Sequence, residues 1–196
     1  MLSVIIATRD CEHALVRTLA MLVSAAVAGV VRDVVVADAG SRDETGRIAE
    51  IAGCTLLVSD APLATRLKEA AAATRGSWLL FLPPGCVLET GWGEEAARFV
   101  EDAELSGMAD RAAVFRAQSS SPTGRSFIGQ ALTLAREALR RTPGPDQGLL
   151  ISRKFYHKVG GHRPVGGDAQ RDLLRRLSGR IVRLRSAIRL FDDDRR

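Results

Sequence analysis

The sequence predicts an α/β fold: a central, mostly parallel sheet with helices on both faces. Three observations carry that expectation. Short apolar runs rich in β-branched residues recur through the first half without polar alternation, as strands buried on both faces require. Segments of helical pattern separate them, at the strand–helix–strand pitch that gives right-handed parallel crossovers. At 196 residues, with 46% apolar and 26% charged content, the chain suits one domain with a full core.

The strand candidates are "LSVIIA" (2–7), "DVVVA" (33–37), "CTLLV" (54–58) and "WLLFL" (78–82). Helix candidates fall near 12–28, 42–52 and 62–75. The second opens with Ser41-Arg42-Asp43-Glu44, a spacing that predicts a capping box in which Ser41 and Glu44 satisfy early backbone donors. Beyond residue 88 the pattern loosens. A helix near 93–104, a strand at 112–117, a polar loop at 118–126 and a helix at 127–141 are expected in turn. A Pro/Gly turn (142–146) leads to a strand at 148–152 and a short helix stopped by Gly160-Gly161. A helix (169–178) and a strand (181–185) close the pattern. No repeat or linker divides the chain, and 1–88 and 89–196 are read as two halves of one domain.

Charge and cysteine content narrow the function classes. Lys and Arg number 28 against 23 acids, a net +5, and only Lys68, Lys154 and Lys158 are lysines. Residues 153–189 hold eleven Lys/Arg and two Asp, either a solvated face or a surface for phosphates or anionic lipid head groups. Nucleic acid is not expected, because only Phe155 and Tyr156 supply aromatics there. Cys11, Cys54 and Cys86 match neither a zinc spacing nor a disulfide framework, which fits a reducing cytoplasm. The run 19–31 is too short and too interrupted to span a bilayer, and no signal peptide is expected. A cytoplasmic location follows, with peripheral contact at the inner membrane face as a further expectation.

"LSVIIATRDCEHALVRTLAML", "DVVVADAGSRDET" and "DQGLLISRKFYHKVGG" stand in this order. Together they resemble the inverting family-2 glycosyltransferases, whose catalytic domain has the GT-A nucleotide-sugar fold. The resemblance runs from residue 2 to about residue 190. It implies a UDP- or GDP-linked sugar donor, an acceptor that it does not specify, and a divalent cation, usually Mg or Mn.

The resemblance also assigns roles. Thr8 and Asp38 match positions that contact the base and ribose, although each could instead serve only its own turn. Arg66 and Lys68 fall where relatives face the donor, and so become candidates for the diphosphate. Arg153, Lys154, His157, His162 and Arg163 are further candidates to reach the cleft. Asp146 and Gln147 would line the acceptor side, unless they only form the turn after Pro143-Gly144-Pro145, and His162 would join them there.

Two departures bear on activity. Pro83-Pro84-Gly85 stand where relatives carry the Asp-x-Asp that holds the cation, so no metal ligand is assigned. Ala169-Gln170 stand where relatives carry the Glu-Asp whose acid deprotonates the acceptor, and neither can be a general base. Asp168 is the candidate substitute if the loop through Gly166-Gly167 shifts; otherwise it caps the following helix. The alternative function is an inactive relative that binds a nucleotide, a membrane or a partner. A dinucleotide enzyme is disfavoured, because "ATRDCEH" rather than a G-x-G-x-x-G follows the first strand.

Overall fold

The apolar runs form strands of one eight-stranded sheet, three of them interior and 54–58 at its edge, in the computed structural model, which describes residues 1–107, 110–118, 143–165 and 168–191. The strands are β1 (Leu2–Thr8), β2 (Val31–Asp38), β3 (Thr55–Val58), β4 (Trp78–Leu82), β5 (Cys86–Leu88), β6 (Ala112–Ala117), β7 (Leu149–Ser152) and β8 (Ile181–Leu190). The helices are α1 (Glu12–Val27), α2 (Thr45–Ile51), α3 (Leu63–Ala73), α4 (Trp92–Leu105), α5 (Arg153–Lys158) and α6 (Ala169–Arg176). A 3-10 turn spans Pro145–Gln147. The helix expected at 127–141, most of the polar loop and Gly166-Gly167 lie outside the described residues.

Strand order is β3-β2-β1-β4-β7-β6-β8-β5. The β3-β2-β1-β4 block is parallel throughout, β7 runs antiparallel to β4 and β6, and β8 pairs parallel with β6 and antiparallel with β5. The sheet is therefore mixed, and the β4–β7 pairing joins the two expected halves within it.

Alternation along each strand divides the core between two faces. Val4, Ile6, Val36, Leu80 and Leu82 pack with Leu15 and Leu22 of α1 and Trp92, Ala96 and Val100 of α4. Ile5, Val35, Ala37, Leu79 and Phe81 pack with Leu67 and Ala70 of α3, Phe155 and Tyr156 of α5, and Leu173 and Leu174 of α6. Covering on both sides is what removes polar alternation from these strands.

Three elements differ from the sequence reading. The capping box does not form. Ser41 Oγ donates to Asp38 at 2.5 Å, and α2 begins only at Thr45, whose N–H is taken by Asp43 Oδ1 at 3.0 Å. β5 was not expected. The Pro83-Pro84-Gly85 turn reverses the chain, Gly85 sits at φ +78°, and Cys86 then pairs with Leu190. β8 continues to Leu190 rather than ending near 185, because β6 and β5 pair on its two sides. Its exposed Arg183, Arg185 and Arg189 mask the apolar pattern of Leu184, Ala187 and Ile188.

Candidate functional site

Strand order reverses at β1, since β2 and β3 lie to one side of it and β4 to the other. In open parallel sheets ligands collect at the carboxyl edge of such a switch point. A cleft of about 410 Å³ lies there, between the residues that follow β1 and those that follow β4. Ile5, Leu67, Phe81, Pro83, Pro84 and Pro145 give it apolar walls, and Thr8, Arg9, Arg66, Asp146, Asp168 and Gln170 supply its polar groups.

The two strand-end residues do not act alike. Thr8 is buried, lines the cleft and donates its hydroxyl to Asp38 Oδ1 at 2.8 Å. Asp38 is 3% exposed and accepts four hydrogen bonds from its own chain: Thr8 and Ser41 hydroxyls on Oδ1, and the Gly40 and Ser41 N–H groups on Oδ2 at 3.0 and 2.7 Å. Burial alone would raise the pKa of this carboxyl. The bonds from Ser41, Thr8 and Gly40 outweigh it and hold the group below the ordinary aspartate value. Asp38 is not among the residues lining the cleft; it organises the loop at the cleft's edge.

Arg66 crosses from α3 to the same edge. Its Nη1 donates to the carbonyls of Ala37 at 2.5 Å and Thr8 at 3.3 Å, and its Nε donates to Ala61 O at 3.2 Å. Nη2 has no partner among the described residues, and the side chain lines the cleft beside Arg9. Burial lowers the Arg66 pKa and Asp38 opposes that fall, so the fork stays cationic. Lys68, two residues on, is exposed and outside the cleft lining.

The other basic candidates are not brought to the cleft. β7 runs antiparallel to β4, so its end meets the opposite edge of the sheet, where Ser152 pairs with Trp78. There Arg153 donates to the carbonyls of Ala71, Thr74 and Gly76 at 2.7, 2.7 and 2.8 Å. It is a structural clamp, which corrects the expectation that it reaches the cleft. Lys154, His157 and Arg163 are exposed, and none lines the cleft.

The start of β7 lies at the functional edge, because Leu149 pairs with Phe81. This brings the preceding 3-10 turn to the cleft, with Asp146 exposed on its rim. Gly148 at φ +66° makes the junction, and a Cβ there would stand 3.1 Å from Leu82 Cδ2. Gln147 folds back instead, its Oε1 accepting the Gly144 N–H at 3.0 Å, as a turn-forming residue would.

Asp168 lines the cleft while capping α6: its Oδ1 accepts the N–H groups of Gln170 and Arg171 at 3.0 and 3.1 Å. Its Oδ2 lies 3.8 Å from Arg171 Nε. His162 is buried behind the cleft rather than lining it. Its Nδ1 meets the Tyr156 hydroxyl at 2.9 Å and its Nε2 meets Gln170 Oε1 at 2.6 Å. Burial, helped by nearby Arg176 and opposed by the hydrogen bond with Gln170, lowers its pKa to about 4, which leaves a neutral imidazole at pH 7.

The residues at the position implied for a divalent cation do not fit one. Pro83 and Pro84 carry no ligating side chain, and the Gly85 N–H donates to Ala14 O and Thr18 Oγ1 at 3.1 and 2.9 Å. Asp146 and Asp168 are the only carboxylates among the described residues lining the cleft, and Asp168 already has one oxygen committed to α6. Among the described residues, no group of three His, Cys, Asp or Glu could hold a metal ion. Arg9 and Gln170 are the site residues that sequence reasoning missed. Gln170 was visible only as a departure from the family pattern, and Arg9 carries no signal of its own.

Comparison with solved structures identifies the fold. Glucosyl-3-phosphoglycerate synthase from Mycobacterium tuberculosis, in complex with Mn2+, UDP and glucosyl-3-phosphoglycerate, matches 98% of this chain and 72% of its own at TM-score 0.65 and 17% identity. TarS 1-349 from S. aureus matches 95% and 59% at TM-score 0.64 and 14% identity. Mannosyl-3-phosphoglycerate synthase from Rubrobacter xylanophilus matches 80% and 54% at TM-score 0.56 and 16% identity. No protein-family model matches the chain, and no curated protein matches its sequence. The chain has the GT-A glycosyltransferase fold. Among the described residues no helix is long and apolar enough to cross a membrane.

Proposed function

We propose that this protein is a glycosyltransferase of family-2 type that binds a UDP- or GDP-linked sugar without a divalent cation. The supporting observation is the cleft at the β1–β4 switch point, where Arg66 donates to the Thr8 carbonyl and both line the cleft with Arg9. Thr8 and the loop held by Asp38 take the nucleoside. Arg66, through Nη2, and Arg9 take the diphosphate; the Arg66 fork is fixed by backbone carbonyls, Arg9 is exposed, and the two positive charges can stabilise a leaving diphosphate electrostatically. Lys68 contributes only long-range charge from its exposed position.

In the transfer step an acceptor hydroxyl oxygen attacks the anomeric carbon opposite the diphosphate. The bond from that carbon to the phosphate oxygen breaks, and the nucleoside diphosphate leaves with its charge against Arg66 and Arg9. The hydroxyl proton passes to Oδ2 of Asp168, the oxygen that the backbone N–H groups of α6 leave free. Asp146 faces the acceptor. Exposed Arg183, Arg185 and Arg189 on β8 offer a surface for anionic head groups, a peripheral contact that fits a cytoplasmic protein.

A second reading has support of its own. Gln170 occupies the place of the family's base, and Asp168 serves as a helix cap. Both favour a relative that binds the nucleotide sugar without turning it over. Release of UDP from UDP-glucose, or of GDP from GDP-mannose, decides between the two when followed with Mn2+ and with chelator. Release that persists in chelator and falls at least about a hundredfold in Asp168→Asn supports metal-free transfer. Binding without release favours the second reading, and release only with Mn2+ contradicts metal independence.

A further inference from the structure

The cleft is polarised by its topology. Arg66 and Arg9 stand over the ends of β1 and β2, whereas Asp146 precedes β7 on the far side of β4 and Asp168 precedes α6. Gln170 lines the cleft in company with both acids. The buried groups behind it fix which end of its amide faces the opening.

Tyr156 is 1% exposed, and its hydroxyl oxygen accepts the His162 N–H at 3.1 Å. Its one O–H needs an acceptor, and the His162 Nδ1 at 2.9 Å is the partner present. Nδ1 is therefore unprotonated, and the ring proton sits on Nε2. That proton points at the Gln170 oxygen 2.6 Å away, which leaves the amide Nε2 with no partner among the described residues. Gly161 is tied into the same arrangement: a Cβ there would meet the Tyr156 ring at 2.9 Å, and its carbonyl accepts from Arg176 at 2.6 Å. The relay is held rigidly on both sides.

We propose that Gln170 is the specificity-determining donor of a hydroxyl-binding subsite. Its amino group, with the carboxylates of Asp146 and Asp168, takes a neutral polyhydroxylated acceptor such as a saccharide and rejects an anionic one. The choice of ligand follows from complementarity. A hydroxyl donates once and accepts as well, so it satisfies an acceptor-only carboxylate and a donor-only amino group together. Phe81 and Pro145 beside them offer apolar surface for the C–H face of a sugar ring. A phosphate or carboxylate would face two acids, one of them answered only by Arg171 at 3.8 Å from an exposed position. The phosphoglyceric acid complexed in the mycobacterial synthase is an acceptor of the kind this end excludes.

The proposal rests on the reading of the cleft as a glycosyltransferase site, and its test separates the two. Saturation-transfer NMR on the full chain uses methyl α-D-glucopyranoside and 3-phosphoglycerate as probes, each with and without UDP, while UDP binding is followed separately. The glucoside should bind the wild type, weaken at least about tenfold in Gln170→Glu, and outcompete 3-phosphoglycerate. Gln170→Met, which keeps the size and removes the donor, should weaken it also and covers a failure of the Glu variant to fold. Nitrogen NMR of His162 should show the proton on Nε2. Glucoside binding indifferent to both variants, preference for 3-phosphoglycerate, no binding of either probe under any condition, or a proton on Nδ1 overturns the proposal. Gln170-dependent glucoside binding without any UDP binding would uphold the subsite and overturn the nucleotide reading.

Discussion

Thr8 Oγ1 donates to Asp38 Oδ1 at 2.8 Å, so side chains as well as backbone pairing join the ends of β1 and β2. One carboxylate thereby organises the loop at this edge of the cleft. Asp38→Ala should cost about 2–3 kcal/mol, because it leaves four donors without their acceptor in a buried setting. Thermal unfolding should fall by several degrees, and UDP affinity should fall with it. Asp38→Asn keeps the shape but presents N–H groups to donors, and should rescue little. The depressed pKa sets the sign with pH: this contribution is full above the ordinary aspartate value and fades as pH falls through the lowered one.

Arg66→Lys keeps a charge and loses the fork that reaches Ala37, Thr8 and Ala61. UDP affinity should drop about tenfold or more by calorimetry, and Arg66→Ala further. UMP, with less charge to lose, should be less affected than UDP. Lys68→Ala should change UDP affinity less than twofold at physiological salt, since Lys68 is exposed and outside the cleft.

Arg153→Ala offers the opposite profile. Its guanidinium serves carbonyls at the edge of the sheet away from the cleft, so removal should cost about 3 kcal/mol in denaturant unfolding. Ligand affinity measured well below the unfolding midpoint should not change.

His162 makes the fold acid-sensitive. Its pKa lies near 4 in the folded chain against about 6.5 when unfolded, so between these values the unfolded state binds one more proton. Stability should therefore be full above pH 6.5 and fall on acidification by up to about 1.4 kcal/mol per pH unit. Arg176, Asp168 and Asp172 are the charges acting on it. His162→Gln should flatten the dependence of unfolding on pH across this window, even if it lowers stability throughout.

The interior of the fold was legible in the sequence because its signals are local. Uninterrupted short runs such as Trp78–Leu82, bounded by turn residues, read as strands covered on both faces, and this one is fully buried. Signals at the margins were weaker, since β5 is three residues long and the arginines of β8 break its apolar rhythm. Thr8, Arg66, Asp146 and Asp168 were nominated by the family resemblance, and all four line the cleft. Arg153 was misjudged because its destination depends on β7 running antiparallel, which no local pattern encodes. His162 was expected on the acceptor side of the cleft and lies buried behind it. Its burial depends on Tyr156, Phe81 and Gln170, which three separate elements bring together.

The most direct test of a cation-free nucleotide site is calorimetric titration of UDP into the wild-type chain and Arg66→Ala, in chelator and again in Mn2+. Wild-type binding should be of equal strength in both buffers and rise at low salt, with a loss of about tenfold or more in Arg66→Ala. Binding that requires Mn2+ and ignores Arg66 would contradict such a site. That result would turn attention to carboxylates outside the described residues, such as the run Asp192-Asp193-Asp194.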